Sequence, residues 1–173
     1  MDLKIRTSYF YQIRNFKKNM LPVSTAIWDP QWFHDFTGDY DYIFKDKRGI
    51  LNGIRIESII EQGRNSNHGP EVCPCEQKDF TSCSFLRQYR ENLEKINFDT
   101  LMADMQRLAA WYQKEENIQD EIIIVLIVYE VPTNPCSERQ PLQDYFNSHG
   151  VECKELEYPI FRLDSLKHES FDF

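Results

Sequence analysis

The sequence predicts an α/β fold: a single domain built on an open, mostly parallel sheet with flanking helices. Three observations carry that prediction. Glu121 to Tyr129 reads EIIIVLIVY, the near-continuous apolar run expected of a parallel strand covered on both faces. Two capped helical patterns precede it and a third follows it, ahead of another short strand. The opening residues alternate in period from strand to helix to strand, the usual start of a parallel sheet.

Taken in order, Leu3 to Arg6 alternates apolar and charged residues and reads as a strand, ended by a turn-like Thr7-Ser8. Tyr9 to Lys18 carries Tyr9, Ile13 and Phe16 at helical spacing. Leu21 to Trp28 is β-branched and apolar, and Asp29-Pro30 stops it because proline cannot donate to a ladder. Between Gln31 and Gln62 the pattern is mixed, with one alternating segment at Leu51 to Ile56. Gly63 to Thr81 is rich in Gly, Asn, Pro and Ser, a loop long enough to be functional, disordered or clamped. Ser82 caps a predicted helix to Ile96 with Phe85, Leu86, Tyr89 and Leu93 inward. Asn97 caps a second, from Phe98 to about Lys114, whose apolar stripe is core packing. After the central strand, Ser137 to Ser148 reads as a helix with Gly150 just beyond it, and Val151 to Leu156 as a short strand. The expected organisation is an α/β domain over residues 1–156, with a Cys-rich loop at 63–83, and a C-terminal arm at 157–173.

Composition bounds the function. The chain has 173 residues, 41% hydrophobic and 14% aromatic, which excludes a disordered protein, and a domain of this size buries roughly 70% of its unfolded surface. The net charge of -8 counts against a protein that works by broad neutralisation of phosphates. The longest apolar run, Ile122 to Val128, is far too short to span a bilayer, and Met1 to Arg6 shows no secretory pattern. A cytoplasmic location without membrane association is expected. Five cysteines, an odd number, point to thiols, metal ligands or a nucleophile rather than to a disulfide framework.

Ligands of open α/β sheets bind beyond the carboxyl ends of the strands. Asn134 to Arg139 occupies that position after the central strand. A cysteine at a helix N-terminus beside an arginine has two reasons for a depressed thiol pKa, so Cys136 is a candidate nucleophile, with Glu138 beside it, Arg139 as an anion clamp and Ser137 as a donor. The alternative is that Cys136 packs as a small hydrophobe and Ser137 caps the helix. Arg6, Thr7, Ser8 and Asp29 follow the other predicted strands and would line the same edge, Arg55 would add positive charge, and Trp28 or Trp32 could stack on a base. Each is more often a turn residue or core aromatic. His68, Cys73, Cys75 and Cys83 offer four ligands for a structural zinc, although C-x-C is not the usual knuckle. Walker, G-x-G-x-x-G, H-E-x-x-H and G-x-S-x-G motifs are absent from the sequence.

Thr7-Ser8-Tyr9-Phe10, Leu21-Pro22-Val23-Ser24, Leu51 to Ile56, Cys83 to Leu86 with Tyr89, and Val128-Tyr129-Glu130-x-Pro132 leading to Cys136 to Arg139 resemble the DUF488-like family, a domain of unknown function. The resemblance runs to about Leu156 and implies an α/β fold with a Cys and Arg site. Ser137 and Glu138 stand where the family pattern has a His, a departure that weakens the case for a Cys-His pairing and leaves the Cys-Arg anion-binding site. The expected function is that of a small α/β protein, an enzyme acting on a phosphate-bearing substrate such as a nucleotide or nucleic acid. The alternative is a non-catalytic binding module, with or without zinc, that recognises a protein or nucleic-acid partner.

Overall fold

The computed structural model of the chain describes residues 3–34, 43–60 and 80–157. Five strands form one sheet: β1 (Lys4–Tyr9), β2 (Met20–Ser24), β5 (Ile54–Arg55), β6 (Ile123–Val128) and β7 (Cys153–Glu155). Their order is β5-β2-β6-β1-β7, and every neighbouring pair is parallel. The α/β class and the parallel sheet are therefore as the sequence predicts. Two further short strands, β3 (Phe44–Lys45) and β4 (Leu51–Asn52), make an antiparallel hairpin beside it.

The central position of β6 follows from its composition. Ile124, Leu126 and Val128 face one layer while Val125 and Ile127 face the other, so both faces need an apolar cover. Three helices supply the first: α1 (Ser84–Glu94), α2 (Phe98–Glu115) and α3 (Arg139–Ser148) bury Leu93, Met105, Tyr112, Leu142 and Phe146 against the sheet. Among the described residues the second layer has no long helix. A 3₁₀ turn at Phe10–Asn15 and a shorter one at Gln31–Phe33 bring in Phe10, Ile13 and Phe33, joined by Ile50 from the hairpin.

Several expectations are corrected in detail. Thr7 and Ser8 are not a turn but buried residues inside β1, held there by pairing with β6 on one side. The segment after Tyr9 is a 3₁₀ turn rather than an α-helix. β2 ends at Ser24, so Thr25 to Trp28 belong to the loop beyond it, and Pro22 is accommodated where β5 reaches only Val23 and Ser24. The alternating run Leu51 to Ile56 is two strands in two sheets, split at Gly53, whose φ of 96° suits glycine. The helix after β6 begins at Arg139, two residues later than predicted. Most of the loop at 63–83 and the arm beyond residue 157 lie outside the described residues. Among the described residues no helix is long and apolar enough to cross a membrane.

Because all strands run the same way, Tyr9, Ser24, Arg55, Val128 and Glu155 end along one edge. The loops that leave this edge carry the chemistry.

Candidate functional site

At one end of the edge the residues Cys136 to Arg139 lead into α3. Cys136 is buried, and its amide donates to Asn134 Oδ1 at 2.9 Å. Ser137 Oγ accepts from the Arg139 amide at 3.2 Å, a bond of the turn that leads into α3; the N-cap position itself falls to Glu138, one residue later than the expected Ser137 cap. Arg139 is itself buried. Its Nε donates to Glu155 Oε1 at 2.8 Å and its Nη2 to the Glu130 carbonyl at 2.7 Å, with the guanidinium 5.9 Å from the Tyr9 ring centre. The anion in the grip of Arg139 is thus a carboxylate of the chain itself. Thr7 joins the same network, donating to Glu155 Oε1 at 2.8 Å and accepting from Gln143 at 2.7 Å. Burial pushes the Glu138 carboxyl up to about 7, against the opposing pull of its own backbone amide and Arg139.

Farther along the edge a second cluster centres on Asp29, whose side chain is fully buried. Asp29 accepts from the Ser24 hydroxyl, from Arg55 Nη1 at 2.6 Å and from His34 Nε2 at 2.6 Å. Arg55 Nη2 also holds the Ile27 carbonyl at 3.2 Å. Four side chains therefore pin the loop after β2 to the end of β5. Ser24 and His34 were not predicted members, and nothing in their spacing marks them.

Beside this cluster, on the layer that carries the 3₁₀ turns, lies a groove of about 710 Å³. Its walls include Phe10, Tyr11, Trp32 and Tyr129, with Arg14 and Arg48 at the hairpin end. Phe10 is the buried keystone: Tyr129 packs on it at 4.8 Å and Trp32 edge-on at 6.1 Å between ring centres, yet each is about half exposed. Burial and then the Asp29 carboxylate raise the Tyr129 phenol pKa, which couples the groove to the Asp29 cluster. Arg48 is braced by Asp46 at 2.7 Å and by the Arg14 carbonyl at 2.5 Å, and the Arg14 guanidinium stacks 3.6 Å above the Tyr11 ring. Burial alone would raise the Asp46 carboxyl, but hydrogen bonds from Arg48 and the Ile50 amide outweigh it and hold the group below its usual range. Asn52 lies on the groove floor, buried, with its Oδ1 accepting no hydrogen bond.

The predicted residues thus divide. Cys136, Ser137, Glu138 and Arg139 share one buried turn, which Arg139 links to Thr7 through Glu155. Asp29 and Arg55 form a separate cluster. Ser8 is buried in β1, and Arg6 lies upstream in the same strand, bonded to Glu152 at 3.0 Å. Of the proposed zinc ligands, His68, Cys73 and Cys75 lie outside the described residues, and Cys83 is buried at the N-cap of α1. Among the described residues no cluster of three or more His, Cys, Asp or Glu could hold a metal. Compared with family models, curated proteins and solved structures, the chain has no match.

Proposed function

We propose that the protein binds a phosphate-bearing aromatic ligand, a nucleotide, in the groove beside the C-terminal edge of its sheet. The observation that supports this is the pairing of two half-exposed rings, Trp32 and Tyr129, on the buried Phe10, with Arg14 and Arg48 in the same groove. The rings are half exposed and available for stacking, and the two guanidiniums suit phosphate oxygens. The Asp29 cluster holds the loop that carries Trp32. Membership of the DUF488-like family is part of the same proposal and adds no reaction to it.

Titration with nucleoside monophosphates tests the reading through Trp fluorescence. Saturable quenching is expected, with Trp32→Ala and Arg14→Ala each weakening it about tenfold, in keeping with ~1–3 kcal/mol for one stacked base. Lack of saturation with any of the common bases would sink it.

A second reading, catalysis at Cys136, rests on the buried turn that gathers Cys136, Glu138 and Arg139, where burial raises the Glu138 carboxyl to about 7. It requires Cys136 to alkylate with iodoacetamide faster than Cys153, whose thiol burial pushes up to about 12. Modification of both only as the chain unfolds removes that reading. Zinc at His68, Cys73, Cys75 and Cys83 is a separate proposal from the sequence, decided by elemental analysis of protein purified without added metal.

A further inference from the structure

We propose that the natural occupant of the groove is a single-stranded nucleic acid, its bases stacked along the edge of the sheet and its phosphates on an adjoining basic stripe. This rests on the nucleotide reading and extends it from one unit of ligand to a strand.

The first observation is where exposed rings lie. Of the seven large hydrophobic side chains exposed among the described residues, Tyr11, Trp28, Trp32, Tyr129 and Val131 all leave the C-terminal edge of the sheet. Trp28, at 81% exposure, is the most open, and it lies outside the groove on the same loop as Trp32. An apolar surface gathered in this way marks an interaction site, and separate rings on neighbouring loops suit successive bases.

The second observation is charge. The 3₁₀ turn exposes Arg14, the segment from it to β2 exposes Lys17 and Lys18, and the hairpin exposes Lys47 and Arg48. These are one surface, because Arg48 bonds the Arg14 carbonyl and the Lys18 side chain lies against Gly49. Asp46 pairs with Arg48, and Glu116 at the border pairs with Lys45; the other four cations have no carboxylate partner among the described residues. In a chain of net charge -8, a local excess of cations next to stacking rings is complementary to a polyanion that carries bases. An acidic protein segment would satisfy the cations but leave the exposed rings without a planar partner.

Fluorescence anisotropy with labelled oligothymidylate and oligouridylate, from dimer to octamer, tests the inference against monophosphate binding by the same protein. Affinity is expected to rise at least tenfold from monophosphate to octamer, and to fall with salt at about −0.7 in log–log slope per phosphate engaged. Lys17→Glu with Lys18→Glu should cost the octamer about tenfold and leave monophosphate binding unchanged, with the unfolding midpoint measured as a control for folding. Trp28→Ala should do the same. The deoxy and ribo arms separate DNA from RNA. An octamer that binds no tighter than the monophosphate overturns the inference and spares the nucleotide reading; absence of monophosphate binding overturns both. Competition by polyglutamate as strong as by oligonucleotide, with Trp28→Ala silent, assigns the stripe to an acidic protein and also overturns it.

Discussion

Glu138 is a carboxyl held out of water, and its cost has a sign that can be measured. Its pKa of about 7 in the fold compares with 4.5 when exposed. Between about pH 4.5 and 7 the folded chain keeps a proton that the unfolded chain has released, so this group's contribution to stability falls as pH rises through that window and is level above it. The loss is about 3 kcal/mol. Glu138→Gln should flatten that part of the pH dependence, so that urea unfolding at pH 5 and pH 8 differs less in the variant than in the wild type. An equal difference in both would mean that Glu138 is hydrated. Residue by residue, the sequence was most legible where a local rule acts alone. Leu86, Tyr89 and Leu93 are buried on the inner face of α1, and Asn97 caps α2. It was least legible where the deciding partner is distant, as with Arg139, whose charge is met by Glu155 from β7, and His34, which reaches Asp29.

Long periodic elements followed their patterns closely. α2 starts where Asn97 can cap it, its Oδ1 accepting from the Thr100 amide at 3.0 Å. Asn97→Ala should therefore lower stability by about 1 kcal/mol with the fold unchanged, read from the denaturation midpoint at constant slope. A change in slope instead would point to an altered unfolded state. The short elements left little trace. A strand of two residues has no periodicity to detect, so β4 and β5 could not be separated within the run Leu51 to Ile56. The spacing of Tyr9, Ile13 and Phe16 suits an α-helix, yet the chain takes a 3₁₀ turn that still brings Ile13 and Phe16 inward. The groove was hidden for the same reason, since Arg14 and Arg48 meet only when that turn and the hairpin are side by side.

At the scale of the whole molecule the topology was the least legible level, because the apolar run of β6 announces a central strand without saying which strands flank it. The answer is β1 and β2, neither of which pairs with the other. Lys4 and Met20 both take Ile123 as their neighbour in register, so the first two strands of the chain share a partner from its last third. This has a consequence for birth on the ribosome. The N-terminal strands must wait, exposed, until residues 123–128 have emerged, and the closure of so long a loop makes sheet assembly a late event. Chains halted before Ile123 are expected to show no cooperative unfolding and to be cut readily by protease, whereas a protected fragment containing β1 and β2 would show that they find another partner. Until β6 arrives, their apolar residues are open to any chaperone within reach.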